Sequence, residues 1–248
     1  MITEYHRPKT LEEALKLLAR PDARPLGGGT VLNRSSPESF AVVDLQALGL
    51  DRIHKSGGKL EVGATAALQA LLESPHAPAA LKAAIRLEAP LNLRNMGTVA
   101  GALVACDGRS PFATAMLALD AKLEIRSAKL DSRITNIGDY LPLRETGILI
   151  TALTIPLNAE LSFESVARTP ADTPIVCAAL AKWPSGRARL ALGGWGNAPA
   201  LAMDGNDPAG MEAAARNAAQ GSGDDWASAE YRSEMAVVLA RRCLQEQR

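Results

Sequence analysis

Aromatic side chains make up only 4% of the 248 residues, three each of Phe, Trp and Tyr. So few rings leave no stacking platform of the kind single-stranded nucleic acid requires. Neither sign of charge is in excess: 27 basic and 27 acidic side chains give a formal net charge of zero. With no long basic block, neither nucleic acid nor an anionic membrane is expected as the main partner. No run of ~18 apolar residues occurs, and residues 1–8 carry no apolar signal region. A cytoplasmic protein with no membrane insertion is the expectation. Cysteine is scarce too: Cys106, Cys177 and Cys243 stand far apart and form no C-x-x-C. A disulfide framework, a zinc site or an iron–sulfur site is therefore not expected in this chain. His6, His54 and His76 are isolated, so any metal centre is expected to belong to a partner. No Ser/His/Asp set, paired carboxylate or Cys beside a His is visible, and no catalytic residue is assigned. Both G-x-G-x-x-G and G-x-x-x-x-G-K-[ST] are missing, which excludes the common dinucleotide and P-loop readings.

What the chain does have is 47% hydrophobic and 22% charged residues, a globular composition. Its length suits one large domain or two to three small ones. Two stretches of nearly side-chain-free residues stand out. The first is Gly27-Gly28-Gly29-Thr30-Val31-Leu32, between an amphipathic helix and a short apolar strand. Consecutive glycines entering a Thr offer unhindered N–H groups and one hydroxyl, the chemistry that cradles a pyrophosphate. The second is Gly97-Thr98-Val99-Ala100-Gly101-Ala102, followed by the turn-forming cluster Asp107-Gly108-Arg109-Ser110-Pro111 and a helical apolar pattern through Phe112, Ala115, Met116 and Leu119. Small loop, polar turn and helix suit an anion cradle facing a helix N-terminus. A Gly/Ala packing contact between helices is the competing reading of the second stretch.

In chain order, Thr10-Leu11-Glu12-Glu13 reads as a capping box that opens a helix stopped by Arg20-Pro21-Asp22. Strands are expected at 40–45, 59–63, 122–126, 133–136 and 147–156. Thr65 is placed as the N-cap of a helix, and 79–87 as a further helix. Residues 163–168, 175–183 and 187–195 read as three strands of a meander. Helices over 211–219 and from Ser228 onward complete the chain.

The two small-residue stretches together resemble the FAD-binding (medium) subunit of the molybdenum hydroxylases, the xanthine dehydrogenase and carbon monoxide dehydrogenase group. In that family an A-G-G-T loop and an R-N-x-G-T-I-G-G-N loop hold FAD between two subdomains. Here Arg94-Asn95-Met96-Gly97-Thr98-Val99-Ala100-Gly101-Ala102 stands at the second, followed by Ser110-Pro111 and Met116-Leu117-Ala118-Leu119-Asp120-Ala121. Residues 148–156 resemble the family's closing E-[IL]-L strand, with Leu149 at its apolar position. The resemblance implies an α+β fold: a small βαβ FAD-binding subdomain over residues 1–55 and a larger mixed α/β subdomain over 56–160. A C-terminal domain over 161–248, with a three-stranded antiparallel sheet and helices, follows. It implies a cofactor site at Gly27 to Leu32, Gly97 to Ala102, Ser110 and Leu149. It also implies an electron-transferring oxidoreductase subunit. Electrons would come from a molybdenum cofactor in a molybdopterin large subunit, through iron–sulfur clusters of a small subunit, to FAD here and on to a quinone, NAD or oxygen.

Besides Ile148, which replaces the acidic first residue of the closing strand, four positions depart from the family pattern in the cofactor-binding stretches. Val31 replaces a polar or acidic residue, Ala100 a glycine, Ala102 an asparagine and Pro111 an aspartate. A left-handed conformation at Ala100 would cost about 1 kcal/mol, and each lost hydrogen bond about 0.5–1.5 kcal/mol. A flavin-free structural subunit with a degraded site is the alternative these changes raise.

Overall fold

The computed structural model describes residues 1–33, 38–127, 131–144 and 147–247. Strand β1 (Ile2–His6), helix α1 (Leu11–Leu18), strand β2 (Ala23–Leu26) and strand β3 (Phe40–Asp44) form the first subdomain. Its sheet runs β1-β3-β2, all parallel. The Thr10 hydroxyl accepts from Glu13 N at 3.2 Å, as the capping box predicts. The return bond comes from one residue further out, Lys9 N to the Glu13 carboxylate at 3.0 Å. Ala14 and Leu15 are the buried face of the helix, and every residue of β3 is buried. β1 has no counterpart in the sequence reading. Exposed at four of its five positions, it lacks the alternation that reveals a strand.

A second, five-stranded antiparallel sheet has the order β4-β5-β8-β6-β7. Its strands are β4 (Ile53–Ser56), β5 (Lys59–Gly63), β6 (Lys122–Ser127), β7 (Ser132–Asn136) and β8 (Ile148–Pro156). Between β5 and β6 come α2 (Leu68–Glu73), α3 (Ala79–Glu88), α4 (Leu91–Met96), α5 (Val99–Ala105) and α6 (Pro111–Ala118), and α7 (Ile137–Leu143) precedes β8. Because β4 pairs with β5, residues 53–56 belong to this sheet, so the first boundary falls before Ile53 rather than at 55. Thr65 is not a cap either: the N-cap of α2 is Ala67, which makes no side-chain bond.

The C-terminal sheet has four strands, not three: β9 (Glu160–Val166), β10 (Val176–Lys182), β11 (Ala188–Gly193) and β12 (Ala200–Gly205), in the order β12-β11-β10-β9. The fourth escaped the sequence reading because Ala200–Gly205 holds no β-branched or aromatic residue and forms a half-buried edge. Helices α8 (Met211–Ala218) and α9 (Ala229–Glu246) cover the sheet, and Ser228 caps α9 by accepting from Tyr231 N at 3.2 Å.

Cores do not follow the three sequence segments. Every residue of α6 is buried, which marks a helix enclosed on all sides. Along β10 the side chains alternate: Cys177, Ala179 and Ala181 join the core that contains α6, while Val176, Ala178 and Leu180 face α8 and α9. The small face lets α6 lie close on the C-terminal sheet, so the second and third segments share one core. The first subdomain has its own small core, and Leu149 of β8 is inserted into it beside Ala14, Leu15, Val43 and Leu45. Leu149→Ala should therefore cost about 2–5 kcal/mol. Denaturant unfolding of the variant should show the first subdomain released before the rest.

Candidate functional site

A cleft of about 860 Å³ lies between the first subdomain and the second, within the usual range for small-molecule sites. One wall is the end of α1, β2 and the glycine loop; the other is Ala64, Thr65, α5, α7 and the start of β8. The two small-residue stretches meet here, and their backbones touch. A Cβ on Gly28 would lie 1.8 Å from the Met96 carbonyl oxygen, and one on Gly27 would lie 2.9 Å from Thr98 Oγ1. Gly29 turns the chain in the left-handed region, at φ +70. The N–H groups of Gly28, Gly29, Thr30 and Val31 donate to no other described residue.

The second stretch is not a loop but a helix start. Thr98 is the N-cap of α5, and its Oγ1 accepts from Gly101 N at 3.1 Å. Val99 N donates to Ala66 O at 2.9 Å, and Ala100 N to Ala64 O at 3.2 Å. The N–H groups of Val99, Ala100 and Gly101 are thus spent within the protein, and the expectation that this stretch donates them to a ligand is not met. Ala100 has no left-handed strain, since Asp120 and Arg144 are the non-glycine residues at positive φ.

Of the residues expected at the site, Gly27, Gly28, Gly29, Thr30, Val31, Leu32, Thr98, Ala100, Gly101 and Leu149 line the cleft, whereas Gly97, Val99, Ala102 and Ser110 do not. Val99 is fully buried in the main core, and Gly97 lies under the Leu93 carbonyl. Ser110 caps α6 instead: it accepts from Ala113 N at 3.0 Å and donates to Glu88 Oε2 at 2.8 Å. The same carboxyl accepts from Phe112 N at 3.0 Å. The group that sits at this helix N-terminus is the protein's own carboxyl. Burial pushes the Glu88 carboxyl up, and the bonds from Phe112 and Ser110 oppose that. Pro111 at the first helical position leaves no donor missing.

Four cleft residues carry no sequence signal: Arg20, Arg24, Tyr140 and Arg144. Arg20 is held by Glu4 at 2.8 Å and Asp22 at 3.0 Å. Arg24 pairs with Glu38 and lies 4.5 Å over the Phe40 ring. Arg144 adopts φ +41 and donates to the Asn197 carbonyl and, at 3.6 Å, to Cys106 Sγ. Burial pushes the Cys106 thiol up to about 11, so it stays protonated at neutral pH and is no nucleophile. Among the described residues, no group of three His, Cys, Asp or Glu side chains is placed to hold a metal ion, and no helix is long and apolar enough to cross a membrane.

Residues 1–158 match the family described as the FAD binding domain in molybdopterin dehydrogenase. The chain belongs to this family. Over 98% of its length it is 29% identical to 95% of the carbon monoxide dehydrogenase medium chain of Afipia carboxidovorans. Over 78% of its length it is 30% identical to 75% of the uncharacterized protein YgfM of Escherichia coli. A chain in the structure of reconstituted CO dehydrogenase from Oligotropha carboxidovorans superposes with a TM-score of 0.83 and 28% identity, covering 98% of this chain and 96% of that one. A chain of quinoline 2-oxidoreductase from Pseudomonas putida 86 gives a TM-score of 0.81 at 26% identity, covering 98% and 95%. The protein is a FAD-binding medium subunit of the molybdenum hydroxylase type, and an oxidoreductase subunit.

The contact between the two stretches makes a direct forecast. Gly28→Ala cannot fit against the Met96 carbonyl without parting the two backbones, and should weaken FAD binding at least tenfold. Ala102→Asn, which lies outside the cleft, should stay within about twofold of the parent, because a side chain there reaches no ligand. Fluorescence titration of FAD with both variants reads the difference.

Proposed function

We propose that the cleft holds FAD as an electron relay. Electrons enter from iron–sulfur clusters of a small partner subunit, which are filled from a molybdopterin large subunit, and leave to an external acceptor such as a quinone, NAD or oxygen. The supporting observation is that the N–H groups from Gly28 to Val31 donate to no other described residue, at a cleft of about 860 Å³. Hydrogen bonds from neutral N–H to a charged oxygen contribute about 1.5–3 kcal/mol each, which suits the diphosphate of the cofactor. Backbone donors are indifferent to the side chain they carry, so Val31 can stand in a position that a polar residue occupies in the family. The Thr98 hydroxyl accepts from Gly101 N and keeps its own proton to donate. Leu149, Ile148 and Val104 supply apolar wall, which excludes water and strengthens those polar contacts. FAD, when bound, supplies the electron-accepting ring; this chain binds, orients and shields it.

Leu91, Leu93 and Met96 of α4 are exposed. Exposed apolar side chains on one short helix are suited to burial against the partner subunits. In the proposed setting the complex is cytoplasmic.

Addition of FAD to the purified flavin-free chain should quench flavin fluorescence with a saturable, one-to-one endpoint. If the chain binds no FAD while the native complex still assembles around it, the subunit is a flavin-free scaffold and the relay reading fails.

A further inference from the structure

Three arginines line the cleft, and two of them are neutralised: Arg20 by Glu4 and Asp22, Arg24 by Glu38. Arg144 differs. Among the described residues it forms no ion pair, and its bonded partners are a carbonyl and a thiol. Its Nε is buried and has no hydrogen-bond partner. Glu88 and Asp107 act on the same Cys106 thiol that Arg144 touches, but neither pairs with the guanidinium, which leaves it able to meet an anion in the cleft. Its backbone is in the left-handed region, at φ +41, because it is the C-cap that ends α7.

Position narrows what that anion can be. The glycine loop sits on Thr98, at the start of α5, while the Arg144 guanidinium touches Cys106, at its end. Eight residues of helix separate the two, about 12 Å. A diphosphate at the glycine loop is therefore too far from Arg144 to be its partner. A ring system extending from that diphosphate along α5 is not. Tyr140, one turn before Arg144 on α7, is buried in the same wall and offers an aromatic neighbour. The opposite end of the cleft, at Leu18 to Arg24, presents only paired charge, which suits the adenine, neutral in every redox state.

We propose that Arg144 is a potential-setting residue: the isoalloxazine ring lies at the Arg144–Tyr140 end of the cleft, and the guanidinium compensates the charge the ring gains on reduction. Two electrons from the iron–sulfur donor and one proton from water convert the oxidised ring to a reduced ring bearing one negative charge. A fixed cation beside it favours that form and raises the potential. This rests on the relay reading above but concerns a residue that FAD binding as such does not require.

The test is an anaerobic redox titration of the FAD-loaded full chain with Arg144→Gln and Arg144→Lys. The Gln variant should keep FAD affinity within a few-fold of the parent while its oxidised-to-reduced ratio at fixed potential rises at least tenfold, about 30 mV for a two-electron couple. Lys should restore most of the shift. In the parent, the reduced flavin should remain anionic at least one pH unit below free reduced FAD, a readout that needs no variant. ADP should bind all three chains alike. An unchanged potential in Arg144→Gln overturns the assignment, as does a parallel loss of ADP affinity, which would put Arg144 on the adenine half. A parent chain that binds no FAD takes the relay reading down with it; one that binds FAD normally while Gln leaves the potential untouched overturns only the role of Arg144.

Discussion

The closest approach on which the site depends is between two stretches of main chain, not between protein and ligand. Gly28 lies so near Met96 that a single methyl group would sit 1.8 Å from its carbonyl oxygen. Glycine is required there for the same reason it is required at a tight turn: backbone meets backbone with no room for Cβ. That contact fixes where the first subdomain stands against α5. With Leu149 inserted into the core from the other side of the cleft, it leaves the first subdomain held at two places and the cleft open between them. A ligand can bridge the opening, but the opening exists without it.

Behind this wall the fold is built on small side chains. Cys177, Ala179, Ala181 and Ala191 line the face of the C-terminal sheet that receives α6, so a helix with no exposed side lies tightly against it. Gly193 is part of the same arrangement, where a Cβ would meet Thr114 Oγ1 at 2.4 Å. The scarcity of aromatics follows from such packing, since core volume is filled by many close backbones rather than a few large rings. The second and third segments share this core, while the first subdomain keeps a core of its own.

The sequence made legible whatever is decided locally. Thr10 and Ser228 are caps because a hydroxyl three residues before an orphan N–H satisfies it wherever the rest of the chain goes. The two small-residue stretches could be assigned to one cleft because their composition is so alike. What could not be read is whatever depends on distant partners. The stretch from Val99 to Ala105 looks like a loop, since Gly101 costs a helix about 1 kcal/mol relative to Ala. Burial of Val99 and Leu103 in the main core overrides that. Ser110 is engaged by Glu88, 22 residues upstream, which takes its hydroxyl, a partner that no local pattern announces. Arg144 follows no motif at all, because its place in the cleft is set by its position as the C-cap of α7 and by the carbonyl of Asn197.

These misses bear on the four departures from the family pattern. Ala100 is helical and unstrained, Ala102 lies outside the cleft, and Pro111 stands at the first position of a helix whose N-terminus already holds a carboxyl group. Three of the four substitutions therefore remove nothing the cleft presents to a ligand. The fourth, Val31, changes a side chain on a loop whose own N–H groups are the available donors. The deficit inferred from sequence combined lost side-chain hydrogen bonds with a left-handed Ala100. In the folded chain the first stretch keeps N–H groups with no described acceptor, while the second spends those of Val99, Ala100 and Gly101 within the protein and shapes the wall. The affinity of the site then depends on the conformation of residues 28–31, which Gly29 at φ +70 and the abutment of Gly28 on Met96 hold in place. A cradle of that kind tolerates substitution of its side chains and is sensitive to any change that moves its main chain.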